Sequence, residues 1–172
     1  MRKILLLGYM GSGKSLIGKM IAEKLQIAFY DLDNLIEKHL QLTVSEIFQQ
    51  KGEIYFRKIE HQIFKDLMSN NDTFVLSLGG GTPCYANNYL LLNGNEIKSV
   101  YLSASIETLY SRLLTETGQR PLLANLNESD GKEFIAKHLF DRSYYYNQAT
   151  LKIQVDGKLP QQITDELVAL LT

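Results

Sequence analysis

The segment that decides the fold is residues 3–15, which read KILLLGYMGSGKS. It opens with a short, mostly apolar run of the kind that forms a buried strand, and glycines then interrupt the run. Residues 8–15 match the pattern G-x-x-x-x-G-K-[ST], in which backbone N–H groups turn inward around phosphate oxygens and the lysine adds positive charge. The alternative is a glycine-rich turn with an incidental lysine. The position directly after a strand instead favours an ATP or GTP site.

Similar apolar runs recur along the chain, with helical patterns between them. They occupy residues 28–32, 73–78, 97–102 and 151–155. Continuous rather than alternating apolarity predicts strands that are covered on both faces. The chain is therefore expected to form a three-layer α/β/α fold around a five-stranded parallel sheet, with ligands at the carboxyl ends of the strands. Thr43 with Glu46 predicts a capping box, and Pro160 predicts the first turn of a C-terminal helix.

Length and composition limit the classes of protein that this chain can belong to. With 172 residues, 45% hydrophobic and 22% charged, the chain fits one globular domain over residues 1–172. Its 18 basic and 19 acidic residues argue against a nucleic-acid-binding module. A single cysteine excludes an intramolecular disulfide. No apolar stretch approaches the roughly 18 residues of a membrane span. We therefore expect a cytoplasmic protein without a membrane or nucleic-acid partner, and we take a monomer as the default.

Two acidic residues are the candidates for metal and acceptor chemistry. The chain contains neither an N-K-x-D nor a D-x-x-G segment, which argues against a GTPase. The third apolar run ends in glycines rather than in an acidic residue, so the carboxylate on the Mg²⁺ side is sought at Asp31 or Asp33. If the chain is extended there, both side chains lie on one face, and one serves the metal while the other faces an acceptor hydroxyl. The alternative is that the two residues form the N-cap and first turn of a helix. Asp33 could occupy such a position and still have a functional role.

The candidates for the acceptor side are arginines and glycines. Arg57 lies three residues before Glu60 on a predicted helix, where the alternative to ligand binding is a surface ion pair. Residues 79–81 are three glycines in a row, which indicate close approach of the backbone to a ligand rather than an ordinary turn. Arg120 lies in a polar stretch typical of a mobile lid and is suited to stabilising a transferred phosphate, unless it is an ordinary loop arginine.

These motifs, in this order and spacing, resemble the shikimate kinase family over residues 8–160. The resemblance is carried by GYMGSGKS at 8–15, D-x-D at 31–33, I-F-x-x-x-G-E-x-x-F-R-x-x-E at 47–60, the glycine triplet and R-P-L-L at 120–123. It implies a P-loop kinase fold like that of nucleoside monophosphate kinases, with a mobile lid over about residues 112–127. The implied activity is ATP-dependent phosphorylation of the shikimate 3-hydroxyl, giving shikimate 3-phosphate and ADP, in chorismate and aromatic amino-acid biosynthesis.

The resemblance also implies a role for each matching residue. ATP would be bound by Gly11, Ser12, Gly13, Lys14, Ser15, Leu16, Arg112 and Arg120, and Mg²⁺ by Ser15 and Asp31. Shikimate would be bound by Asp33, Arg57, Gly79, Gly80, Gly81, Arg142, Phe48 and Phe56, although the two phenylalanines are equally explicable as core residues. The implied catalytic residues are Lys14, Asp33 and Arg120.

The chain departs from the family pattern at three places. Arg142 and Tyr146 keep the spacing of R-x-x-x-Y-x-x-x-A, but Ala149 follows one residue early, which indicates a one-residue deletion or a register shift. Arg112 lies eight residues before Arg120, one residue away from the expected spacing. The segment after the last strand lacks an arginine, so mostly backbone and apolar contacts to adenine are expected.

Two other functions remain open from the sequence. A kinase of another small hydroxy acid, such as gluconate, would also need a carboxylate site. A non-catalytic ATP-binding switch would need only the phosphate loop. The order of Asp33, Arg57 and the glycine triplet favours shikimate. A switch would leave Arg57, Arg142 and the triplet without a role.

Overall fold

Five parallel strands form a sheet whose centre is the apolar N-terminal strand. We describe it from a computed structural model that covers residues 3–115, 123 and 125–172. The strands are β1 (Lys3–Leu7), β2 (Ala28–Asp31), β3 (Phe74–Ser77), β4 (Ile97–Ser103) and β5 (Leu151–Gln154). They lie in the order β2-β3-β1-β4-β5, and Leu5 of β1 pairs with Leu76 of β3 and with Ser99 of β4. The predicted five-stranded parallel sheet is confirmed.

Helices cover both faces of this sheet. They are α1 (Lys14–Leu25), α2 (Leu32–Leu40), α3 (Val44–Lys51), α4 (Glu53–Ser69), α5 (Ile106–Thr115), α6 (Glu128–Tyr146) and α7 (Pro160–Leu171). Ile4 and Leu6 of β1 pack in a core with α1, α5 and α7, whereas Leu5 and Leu7 pack in a second core with α2, α3 and α4. Successive residues of a strand point to opposite faces, so one continuously apolar strand serves both cores.

The edge strands differ from the continuous apolarity that the sequence predicts. In β5, Lys152 and Gln154 are exposed while Ile153 is buried, and Ala28 of β2 is also exposed. β2 and β5 are the outer strands of the sheet, so helices cover them less completely than β1 and β3. The two-sided burial that the sequence predicts therefore holds for the central strands only.

Two local signals of helix starts are confirmed. Thr43 and Glu46 exchange the reciprocal hydrogen bonds of a capping box at the start of α3, and Pro160 occupies the first turn of α7. Within the described residues, no helix is long and apolar enough to cross a membrane. The predicted lid overlaps the end of α5, which continues to Thr115; residues 116–122 and 124 lie outside the described residues.

Candidate active site

The loop between β1 and α1 forms a cradle of backbone N–H groups. Gly11 and Gly13 have φ angles of 80° and 99°, a left-handed conformation that favours glycine. This conformation brings the chain directly into the first turn of α1, whose N-terminus attracts anions. Lys14 Nζ donates to the carbonyl oxygens of Gly8 at 2.8 Å and Tyr9 at 3.0 Å. The lysine ammonium is therefore held at the loop.

A cavity of about 440 Å³ adjoins this cradle. Its lining residues are Gly11, Ser12, Gly13, Lys14, Ser15, Leu16, Ile17, Arg112, Lys158, Pro160 and Ile163. Arg112 Nη1 donates to the carbonyl oxygen of Gly11 at 3.0 Å, which fixes the arginine beside the loop. Lys158 forms an ion pair with Glu166 at 2.6 Å. The wall thus carries three cationic side chains, Lys14, Arg112 and Lys158, as well as apolar groups.

Three side-chain oxygens meet at the carboxyl ends of β2 and β3. Ser15 Oγ donates to Asp31 Oδ2 at 2.6 Å and lies 3.3 Å from Ser77 Oγ. Hydroxyl and carboxylate oxygens are the donors that Mg²⁺ prefers, and this ion usually takes only one or two carboxylates together with water and phosphate oxygens. The donor set at Ser15 and Asp31 therefore fits Mg²⁺.

The chain is not extended through Asp31 and Asp33, so the same-face arrangement is wrong. β2 ends at Asp31 and α2 begins at Leu32. The Asp31 carboxylate accepts hydrogen bonds from the backbone N–H groups of Asp33 at 3.1 Å and Asn34 at 3.4 Å, which caps the helix. The alternative of a helix N-cap and a first-turn residue is confirmed, and it leaves Asp33 close to the glycine triplet.

Asp33 is a carboxyl group with an unusual pKa. Burial, followed by the negative charges of Asp31 and Glu60, raises the pKa of Asp33 to about 6, although Lys14 acts in the opposite direction. A carboxyl group with a pKa close to neutrality is suited to accepting a proton.

Arg57 forms its shorter ion pair with a buried carboxylate, and a longer one at 3.5 Å with the exposed Glu53. Arg57 Nη1 donates to Glu60 Oε1 at 2.8 Å, and Glu60 is 0% exposed. Thr82 Oγ1 donates to the other carboxylate oxygen of Glu60 at 2.7 Å. On its outer side, the guanidinium carbon of Arg57 lies 4.0 Å from the centre of the Tyr85 ring. The alternative of a surface ion pair with Glu60 is therefore wrong, because the Glu60 carboxylate is in the interior.

The glycine triplet provides space for both arginines. A Cβ at Gly81 would lie 2.6 Å from Arg57 Nη2, and a Cβ at Gly80 would lie 3.2 Å from Arg142 Nη1. At Gly79 a Cβ would lie 3.1 Å from Asp33 Oδ1. The triplet therefore brings the three proposed acceptor-binding side chains to one short loop.

The remaining predicted acceptor residues, Phe48 and Phe56, lie in the neighbouring helices α3 and α4. Phe48 and Phe56 pack with their ring centres 4.7 Å apart. Phe56 is 3% exposed and is a core residue, whereas Phe48 is 37% exposed. Arg120 lies outside the described residues, so nothing is said of its placement.

Several residues of this region were missed by reasoning from the sequence. Tyr85 stacks on Arg57, and Lys158 lines the cavity. Tyr146 donates from its hydroxyl to the carbonyl oxygen of Gly80 at 2.5 Å. Contacts of this kind join segments that are distant in sequence, so no local pattern indicates them. Glu60 did carry a signal, since it stands one helical turn after Arg57.

A phosphate cradle after β1 in a sheet of this order, facing a carboxylate and arginines at the adjacent strand ends, defines a P-loop phosphotransferase. Residues 10–172 match the model of a protein family that is described as shikimate kinase. The chain belongs to the shikimate kinase family.

Individual relatives agree with this family. The chain is 53% identical to the shikimate kinase of Flavobacterium johnsoniae, with 99% of each chain covered, and 49% identical to that of Flavobacterium psychrophilum, with 97% of each covered. The crystal structure of shikimate kinase from Bacteroides thetaiotaomicron superimposes with a TM-score of 0.91 at 33% identity, covering 99% of this chain and 98% of that one. Shikimate kinase from Acinetobacter baumannii in complex with shikimate gives 0.87 at 29% identity, covering 99% and 93%. The predicted family and fold are confirmed.

Proposed function

We propose that this protein transfers the γ-phosphoryl group of ATP to the 3-hydroxyl of shikimate, giving shikimate 3-phosphate and ADP for chorismate and aromatic amino-acid biosynthesis. The observation that carries the proposal is the convergence of Asp33, Arg57 and Arg142 on the glycine triplet, which follows the strand next to the phosphate cradle. Shikimate offers a carboxylate for the arginines and ring hydroxyls for the aspartate. The proposed working form is a cytoplasmic monomer.

The phosphate cradle holds ATP in this proposal. The N–H groups of residues 11–16 bind phosphate oxygens, and Lys14 adds positive charge near the transferred group. Arg112 and Lys158 lie beside the remainder of the nucleotide cavity. Ser15 and Asp31 supply oxygen donors for Mg²⁺, which offsets phosphate charge when it is bound. Arg120 is proposed to bind the transferred phosphate as an arginine of the lid.

Asp33 and the two arginines hold the acceptor in this proposal. Arg57 and Arg142 bind the shikimate carboxylate, because guanidinium groups match carboxylate geometry. Asp33 accepts a hydrogen bond from the attacking hydroxyl and orients it or takes its proton. Phe48 packs against the ring. Catalysis then arises mainly from positioning and from stabilisation of charge.

The reaction is tested by measuring ADP release from Mg·ATP with shikimate, with gluconate and without an acceptor. Gluconate is the relevant control because a gluconokinase from Sinorhizobium meliloti shares the fold, with a TM-score of 0.58 at 18% identity. We expect strong stimulation by shikimate alone and no turnover by Lys14→Ala. Stimulation by gluconate instead would indicate another hydroxy-acid kinase. ATP binding without stimulation by either acid would overturn the acceptor assignment and favour a switch.

A further inference from the structure

Tyr9, the second residue of the phosphate loop, is in contact with both halves of the proposed site. Its carbonyl oxygen accepts a hydrogen bond from Lys14 Nζ at 3.0 Å. The centre of its ring lies 5.4 Å from the guanidinium carbon of Arg142. Tyr9 is 1% exposed, so its ring is packed in the interior. One buried residue thus joins the cation proposed for the phosphate to a cation proposed for the acceptor carboxylate.

The hydroxyl of Tyr9 is held by His138. Tyr9 Oη and His138 Nδ1 are 2.9 Å apart, and their rings pack with centres separated by 5.9 Å. The imidazole also packs against Phe134, with a ring-centre distance of 4.4 Å. The imidazole is therefore held by contacts with two aromatic rings, and its Nδ1 lies within hydrogen-bonding distance of the tyrosine hydroxyl.

His138 and Arg142 act on Tyr9 from the same face of α6. They are four residues apart, which is the spacing of side chains that lie one above the other on a helix. His138 holds the tip of the Tyr9 ring, and Arg142 lies near the ring itself. Loss of the hydrogen bond at the Tyr9 hydroxyl would therefore shift the Tyr9 ring, against which the Arg142 guanidinium packs. The contacts of His138 described above are with Tyr9 and Phe134, not with Lys14 or Arg142.

We propose that His138 is a positioning residue for phosphoryl transfer, which acts by holding the Tyr9 hydroxyl so that Tyr9 sets the placement of Arg142 relative to Lys14. The proposal rests on the proposed function. Transfer requires the acceptor hydroxyl to stand in line with the phosphate, and small misplacements lower the rate steeply. Removing the contact should weaken use of the acceptor more than binding of ATP, because the N–H groups of the cradle remain in place.

The test compares Tyr9→Phe, His138→Ala and the double variant in steady-state kinetics with both substrates. Loss of one neutral hydrogen bond should lower kcat/KM for shikimate about three- to tenfold in each single variant. The KM for ATP should stay within about twofold of the wild-type value. The double variant should lose no more of its kcat/KM for shikimate than the more impaired of the two single variants, because both changes remove the same contact. His138→Asn, whose amide lies near the position of Nδ1, should restore most of the loss.

His39→Ala is the matched control, since His39 is exposed on α2 and should leave the kinetics unchanged. Melting temperatures of all variants show whether folding is affected. If the effects of the two single changes add up in the double variant, or if the KM values for shikimate and ATP rise equally, the contact is merely structural and the inference is overturned. Failure of the wild-type protein to phosphorylate shikimate would overturn the proposed function together with this inference, whereas an active wild type with unaffected variants would overturn the inference alone.

Discussion

Asp33 and Glu60 are two acidic residues that the fold treats differently. Glu60 is fully buried, and its charge is balanced by Arg57 and by the hydroxyl of Thr82. At Asp33, burial and two neighbouring carboxylates outweigh the opposing effect of Lys14, so its pKa rises to about 6. Glu60 therefore holds Arg57 in place through a buried ion pair, whereas Asp33 changes its protonation state near neutrality.

The first prediction concerns the pH dependence of acceptor use. Asp33 must be ionised to accept the hydroxyl proton, so kcat/KM for shikimate should rise with pH and level off above about 6. The measurement is a pH–rate profile of kcat/KM for shikimate at saturating ATP, which reports the ionisation of the ATP-bound enzyme before shikimate binds. An acid limb near the ordinary aspartate value of 3.8 would show that Asp33 is not the group that controls the rate.

The second prediction is that Asp33→Asn stabilises the protein while abolishing turnover. A folded pKa of about 6 against an ordinary 3.8 means that the protonated form is favoured by folding. The associated stability is present below about pH 4 and is lost as the pH rises through 6, by up to about 3 kcal/mol. Thermal melts should therefore show Asp33→Asn about 5–10 °C more stable at pH 7 and little changed at pH 4.

The exposed Asp66→Asn on α4 is the matched control and should shift neither melting curve. A lower melting temperature for Asp33→Asn at pH 7 would contradict the charge-burial argument.

At the scale of single residues, the sequence predicts the groups whose roles depend on local pattern. The phosphate loop is contiguous, and Arg57 and Glu60 stand one helical turn apart. The Tyr9–His138 contact joins residues that are 129 positions apart, so it depends on how α6 packs against the phosphate loop. The burial of Glu60 depends in the same way on Thr82 in a later loop. Periodicity along the chain carries no information about such contacts.

At the scale of elements, the glycines of the loop after β3 are explained by the arginine side chains that pack against the loop. Gly81 has a φ of −96°, which any residue adopts, so its glycine is explained by space and not by backbone strain. The Arg57 guanidinium occupies the volume that a side chain would need. The loop therefore packs directly against the guanidinium groups of Arg57 and Arg142.

The third prediction follows from this geometry. In Gly81→Ala the new Cβ displaces the Arg57 guanidinium, so the KM for shikimate should rise about tenfold or more, as expected for losing a charge-assisted contact. The backbone is not strained, and the KM for ATP should change little. Gly157→Ala is the control: its φ of 68° is unfavourable for alanine, and nothing lies within 4 Å of the added Cβ. It should cost about 1 kcal/mol of stability without affecting the KM for shikimate. An unchanged KM in Gly81→Ala would contradict the role of Arg57.

The elements themselves were largely predictable, with one instructive error. Each predicted strand overlaps a strand of the sheet, because apolar runs and breakers are local signals. One of the two alternatives at this position required the extended chain to continue from Asp31 to Asp33, yet β2 ends at Asp31, which caps α2. A side chain that hydrogen-bonds to the next backbone N–H groups competes with strand formation, and this outcome depends on local geometry rather than on apolar pattern.

At the scale of the whole molecule, the nucleotide cavity and the acceptor cluster meet at the central strands. Ile17 lines the cavity and belongs to one core, whereas Phe56 beside Arg57 belongs to the other. Both cores include residues of β1. A ligand bound on either side therefore stabilises an arrangement that depends on the same strand.

The fourth prediction is that shikimate alone raises the melting temperature. A ligand at about one hundred times its Kd adds about 2.7 kcal/mol to the free energy of unfolding, which corresponds to about 5–10 °C for a domain of this size. Differential scanning fluorimetry with shikimate, and with gluconate as control, measures the shift. Lys14→Ala should retain the shift and Arg57→Ala should lose it. A shift that survives Arg57→Ala would place the acid elsewhere.

The position of β1 in the sheet has a consequence for synthesis on the ribosome. Its hydrogen-bonding partners are β3 and β4, which are made only after residues 74 and 97 have been added. β2 is made earlier, but it pairs with β3 and not with β1. An N-terminal fragment that stops before β3 holds two strands that have no ladder to share, one of them almost wholly apolar. That strand must therefore be kept from aggregating until the middle of the sequence emerges. A chaperone at the tunnel exit is suited to this task.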